Sequence, residues 1–195
     1  MQVMIEKFRY AALKAWARTL LRVGQHDAAL EVFERMHQQR PADSYPLASQ
    51  AHLLLTLDRK PQAQRLLERL TQSHPQDGHH WFNLGFLQEE QGDYEAACIS
   101  FGKATEFNPQ IDRAWYGLGL VLIRLQRFDE AVKALKQNTK LQPMSPYGWY
   151  QLARVHVDRQ DPDEARKIIR HLKGFEPKVA AQLERETGLT VAPVF

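Results

Sequence analysis

Residues 81–109 read WFNLGFLQEEQGDYEAACISFGKATEFNP. Moved on by thirty-four residues, 115–143 read WYGLGLVLIRLQRFDEAVKALKQNTKLQP. Both open on Trp, Leu and Gly (Trp81, Leu84 and Gly85; Trp115, Leu118 and Gly119), carry a small residue midway (Ala97; Ala131) and close on proline (Pro109; Pro143). The frame continues downstream as Trp149, Leu152, Ala153, Ala165, Ile169 and Pro177. Upstream it holds as Leu47, Ala51, Leu54, Ala63, Leu67, Leu70 and Pro75. Before that come Leu13, Trp16, Ala17, Leu20, Ala29, Phe33, Met36 and Pro41. The five prolines stand thirty-four residues apart with no slip of register. A fixed period of this size signals stacked repeats.

The run Trp81-x2-Leu84-Gly85, Ala97-x3-Phe101-x2-Ala104, Pro109 resembles a tetratricopeptide repeat (TPR), and the other four units resemble it in the same register. The resemblance implies an all-α chain, a right-handed TPR superhelix or α-solenoid of five helix-turn-helix repeats plus a C-terminal capping helix. The repeats fall at 10–43, 44–77, 78–111, 112–145 and 146–179, with the capping helix and tail at 180–195, all in a single domain over 1–195.

In each repeat a helix A and a helix B are expected, the proline helping to end B because the residue before it avoids the helical region. Gly24, Gly92-Asp93, Gln126-Arg127 and Gln160-Asp161 mark A–B turns. Asp27 is placed to cap the first B helix, and Pro61 suits the first turn of the second. The small residues Gly85, Gly119, Ala17, Ala51 and Ala153 let A and B approach closely, as do Ala29, Ala63, Ala97, Ala131 and Ala165 from the B side. Trp81, Trp115 and Trp149 fill the larger spaces. Lys178–Glu186 reads as a short amphipathic helix ended by Gly188. The apolar tail Leu189–Phe195 either packs on the last repeat or inserts into a neighbouring molecule.

Hydrophobic residues make up 44% of the 195, enough for a core shared between units, and the formal charge of +3 neither demands nor excludes an anionic partner. A lone cysteine, Cys98, excludes an intrachain disulfide, a thiolate zinc cluster and a paired-cysteine redox site. It follows Ala97 and reads as a partly buried packing residue. No stretch approaches the ~18–20 apolar residues of a membrane span. The basic N-terminus is in phase with the first repeat, which speaks against a cleavable presequence. The expected location is cytoplasmic, at most peripheral to a membrane-associated complex.

Enzymatic signatures are missing: no Gly-rich phosphate loop, nucleophile elbow or His-Glu-x-x-His. His79-His80, with His52 near by on the adjacent A helix, falls short of a metal site without a placed carboxylate. His156 falls on a core-facing position. The chain is expected to be non-enzymatic, without cofactor, metal or small-molecule substrate.

What the resemblance implies about binding is a groove lined by positions two, five, nine, twelve and thirteen of each A helix. Carried onto this chain, these include Lys14, Arg18, Tyr45, His52, His79, Phe82, Phe86, Glu89, Arg113, Tyr116, Leu120, Ile123, Arg124, Tyr147, Tyr150, Arg154 and Asp158. Phe82, Phe86, Tyr116, Tyr147 and Tyr150 are aromatics beyond what the repeat needs, and they interleave with arginines, the residues of binding hot spots. Asn83 enters as the sixth-position residue used by TPR domains that clamp chaperone C-termini. Each register of that clamp departs here at three or more positions, so the clamp is not expected. The expected function is a protein-interaction scaffold or adaptor, of the kind that includes assembly factors and chaperones. It would bind an extended segment or helix with apolar and acidic residues, and the tail leaves self-association open. The alternative is nucleic-acid or anionic-surface binding through Lys133, Lys136, Lys140, Lys167 and Arg170 on outer B-helix faces.

Overall fold

The structure is a computed structural model, and it describes residues 2–192. Among them are eleven helices and no strand: α1 (Gln2–Arg22), α2 (His26–Gln39), α3 (Ser44–Thr56), α4 (Lys60–Ser73), α5 (Gly78–Glu90), α6 (Tyr94–Phe107), α7 (Asp112–Arg124), α8 (Phe128–Leu141), α9 (Pro146–Asp158), α10 (Pro162–Lys173) and α11 (Pro177–Thr187). They belong to two compact units, one up to Leu84 and one from Gly85 onward. None is long and apolar enough to cross a membrane.

Four of the five frame prolines lie two residues beyond a B helix, after Gln39, Ser73, Phe107 and Leu141. Pro177 departs from the expected role. The B helix before it, α10, stops at Lys173, and Pro177 opens α11 in its first turn, where a missing N–H costs nothing. The capping helix therefore starts one residue ahead of the Lys178 at which the sequence places it. Asp27 is a second correction. α2 begins at His26 behind Gln25, which makes no side-chain cap, and the Asp27 carboxylate instead accepts from Arg59 at 2.7 Å. Caps do form at Asp43, Asp93 and Asp161, whose carboxylates accept from Tyr45, Ala96 and Glu164 N–H.

The A–B turns share a backbone device. Gly24, Asp58, Gly92, Gln126 and Gln160, one per repeat at the same position, all take positive φ, from 55° to 80°. Only two are glycine, so the turn geometry is imposed by the repeat on residues that resist it.

Every small residue singled out above is buried. In the second unit the glycines report how tightly helices meet. A Cβ on Gly119 would come within 2.7 Å of Leu135, its B-helix partner. Gly85 does the same with Phe101 at 3.0 Å, and a Cβ on Gly117 would come within 2.6 Å of the tip of the same ring. A Cβ on Gly148 would run into Asn138 Oδ1. Gly117 and Gly148 have no place in the A–B small-residue pattern; they serve contact with the preceding B helix. Trp81, Trp115 and Trp149 do more than fill space: each indole N–H donates to the carbonyl of a frame proline six residues back, at 2.7, 2.9 and 2.9 Å. The first repeat carries Leu13 at the equivalent position, half-buried, while Trp16, three residues on, stands exposed.

The start of the tail folds onto the second unit. Val191 is buried among core residues, its N–H donates to Glu184, and its carbonyl accepts from Lys173. Lys173, 2.8 Å from Glu184, and that N–H hold the carboxyl below the usual carboxylate range. The rest of the tail expectation, residues 193–195, lies outside the described residues.

Candidate functional site

In the first unit the predicted groove residues are partly engaged with one another. The Lys14 ammonium sits 3.9 Å over the Tyr45 ring, which also meets Phe33 edge-on at 6.3 Å. Tyr45 is thereby a packing residue as much as a surface one. Arg18, His52, His79 and Asn83 are exposed, and Phe82 is half-buried. His80 is buried against His74, its Nε2 3.4 Å from Asp77 but without hydrogen-bond geometry. Burial pushes its pKa down. Among the described residues no three His, Cys, Asp or Glu side chains gather in a metal-holding arrangement.

The second unit brings its predicted residues together. α7, α9 and α11 lie side by side. Their common face carries a cavity of about 290 Å³ lined by Tyr116, Pro146, Tyr147, Tyr150, Gln151, Val179 and Gln182. Tyr147 is 71% exposed at its mouth. Tyr116 is hydrogen-bonded to Gln151, and burial pushes its phenol pKa up. A second cavity of about 350 Å³ lies beside it, lined by Glu89, Leu120, Ile123, Arg124, Gln151, Arg154, Val155 and Asp158. Gln151 belongs to both. The first is mainly apolar and aromatic, while the second mixes two arginines with two acids. Burial raises the Glu89 pKa, with Arg124 pulling the other way. Phe86 is exposed on the α5 segment of this unit, as is Arg113 on α7.

Five lining residues were missed by position-by-position reading, Pro146 and Val155 of α9 among them. Gln151 is a sixth-position residue outside the groove set, and Val179 and Gln182 come from α11. Glu186 of α11 also reaches in. It accepts from the Tyr150 hydroxyl at 2.5 Å and lies 3.4 Å from the Arg154 guanidinium. The hydroxyl bond is the main reason its carboxyl is held below the usual range. A helix read as a cap thus forms the end wall of the site. The only available signal was the acidic and amphipathic pattern of 178–186.

Of the basic outer faces, Lys133, Lys136, Lys140 and Arg170 are exposed and Lys167 pairs with Glu164. Acids interleave with them: Asp129 pairs with Arg159 at 2.6 Å and Glu130 with Arg127 at 2.6 Å. Cys98 is half-buried with the Arg127 guanidinium 3.6 Å from its sulfur, and burial raises its pKa.

Family models described as tetratricopeptide repeat match residues 20–84, 80–111, 100–137 and 116–177, which together span 20–177. The chain belongs to the tetratricopeptide repeat family. Solved structures of the same fold resemble this TPR chain over most of its length. A MamA crystal structure matches with TM-score 0.76 at 17% identity, covering 94% of this chain and 98% of that one. MamA from Desulfovibrio magneticus RS-1 matches with TM-score 0.72 at 18% identity, covering 92% and 97%. YrrB, described as a TPR protein with an unusual peptide-binding site, matches with TM-score 0.74 at 15% identity, covering 88% and 89%. No curated protein matches the sequence.

Proposed function

We propose that this TPR chain is a non-catalytic protein-binding scaffold that takes an extended segment of a partner against the α7–α9–α11 face. The observation that carries the reading is the pair of adjoining cavities sharing Gln151. The tyrosine-lined cavity suits an apolar anchor residue. The neighbouring one offers Arg124 and Arg154 to carboxylates or backbone carbonyls of the same segment, and Glu89 and Asp158 to its N–H groups. Aromatic and arginine side chains around a partly enclosed recess are where binding energy concentrates. A described peptide-binding site in YrrB supports the same use of the fold here. An adaptor or assembly factor that holds a client subunit is the form of scaffold that fits an open, preformed face.

The test is a peptide-array screen with the purified chain, followed by titration of the tightest binder. Tyr147→Ala with Tyr150→Ala is expected to weaken it at least tenfold while leaving the circular dichroism spectrum intact. An unchanged affinity in that variant overturns the site. Binding of RNA or duplex DNA that falls steeply with salt and is lost in Lys133→Glu with Lys136→Glu would replace the reading with the nucleic-acid one.

A further inference from the structure

α3 and α9 each turn three positions toward the B helix that precedes them. On α3 these are Pro46, Gln50 and Leu53, all buried, and Gln50 Nε2 donates to the Leu30 carbonyl of α2 at 3.3 Å. On α9 they are Gly148, Leu152 and Val155, again buried, with Gly148 against Asn138 of α8. On α5 the equivalent His80 and Leu84 are buried, and on α7 Ala114 and Val121 are buried with Leu118 half-buried between them.

On α1 the equivalent residues, thirty-four positions before those of α3, are Ala12, Trp16 and Thr19, and all three are exposed. Trp16 is 54% exposed where Gln50, Leu84 and Leu152 are buried. The open face does not end there. α1 has 21 residues against 13 for α3, and its additional turns place Ile5 and Phe8 on the same stripe; Val23 follows just beyond its end. The series 5, 8, 12, 16, 19 and 23 steps by three or four, so these side chains form one row, about 27 Å long at ~1.5 Å per residue. Phe8 is 72% exposed. A row of exposed apolar side chains of this length marks an interaction surface.

The charge on the helix selects the occupant. α1 carries Lys7, Arg9, Lys14, Arg18 and Arg22 against one acid, Glu6, a net +4. Arg9, four residues after Ile5, and Arg22, three after Thr19, flank the row and are exposed. We infer that α1 is a docking surface for an amphipathic helix of a second protein whose apolar row is bordered by Asp or Glu. That helix takes the place of a preceding B helix, stacking on Phe8, Trp16 and their neighbours while its carboxylates meet Arg9 and Arg22. Two copies of this chain joined through α1 would bring +4 against +4. A flat anionic lipid surface is disfavoured because Lys14 is turned onto the Tyr45 ring, away from the row.

The probe is a helix-stapled 21-residue peptide with leucines at heptad a and d positions and glutamates beside them. Its counterpart carries lysines in place of the glutamates. Fluorescence anisotropy with the full chain is expected to show the acidic peptide binding at least tenfold tighter than the basic one. Phe8→Ser with Trp16→Ser, both exposed sites where the fold is not at stake, is expected to abolish binding. Arg9→Glu with Arg22→Glu is expected to reverse the peptide preference with the apolar row intact. Tyr147→Ala with Tyr150→Ala leaves this binding unchanged, which separates it from the groove. Failure of both peptides to bind overturns the inference, as does equal affinity for the two. So does co-sedimentation with phosphatidylglycerol vesicles, or a dimer in sedimentation equilibrium, that disappears in the Phe8/Trp16 variant.

Discussion

Gly117→Ala is a substitution that helix propensity favours and this structure forbids. Replacing a mid-helix glycine with alanine normally stabilises by ~1 kcal/mol. At 117 the new Cβ would sit 2.6 Å from Cζ and 2.9 Å from both Cε atoms of Phe101. Carbon–carbon contacts are optimal at ~3.5–4.0 Å, so the overlap approaches ~1 Å. The ring has no retreat: it is 1% exposed, and Gly85 lies so close that a Cβ there would stand 3.0 Å from Cδ1. Overpacking of this kind costs ~1–3 kcal/mol. The control is Gly102→Ala on α6, where a Cβ meets nothing within 4 Å. Both substitutions share the propensity gain, so their difference isolates the steric cost, expected at ~1–3 kcal/mol. Urea titration followed by far-UV circular dichroism measures it. Gly102→Ala should raise the midpoint and Gly117→Ala should lower it. In a Phe101→Leu background, where the ring is gone, Gly117→Ala should cease to destabilise. Gly117→Ala as stable as Gly102→Ala would refute the picture of a ring wedged between two glycines.

Gln126→Gly should stabilise by about 0.5–1 kcal/mol, because a left-handed residue costs ~1–2 kcal/mol and glycine's added chain entropy offsets only part of it; thermal unfolding should move up by a few degrees. Acidification should destabilise the fold from pH 6.5 downward. Burial lowers the pKa of His80 and His156 below the ordinary 6.5, more than Asp77 and Asp161 beside them raise it. A depressed folded pKa means that the neutral rings fit above 6.5, and that stability is lost as pH falls from there through the folded value. Urea midpoints from pH 7.5 to 5 check this, and His80→Gln with His156→Gln should flatten the curve.

The frame of prolines made most helix ends legible, since a B helix cannot run far past the residue before proline. It failed at Pro177, because proline is equally compatible with opening a helix, and only the packing of α11 on α9 and α10 shows which role it takes. Turn geometry was legible at Gly24 and Gly92 but not at Asp58, Gln126 or Gln160, whose side chains carry no sign of positive φ. Among candidate site residues, Tyr45 and Tyr147 occupy the same position of their repeats. One is covered by Lys14 and Phe33, while the other stands open at a cavity.

The sequence by itself determined the period, the pairing of helices and the small residues that let them approach, because these depend on spacing along the chain and on side-chain size. Only the tertiary structure decided which aromatic rings stand clear, that α11 walls the tyrosine cavity, and that α1 leaves a stacking face open. Exposure is set by what neighbouring helices cover. A repeat pattern assigns every equivalent position the same character, whether or not a neighbour is there to cover it.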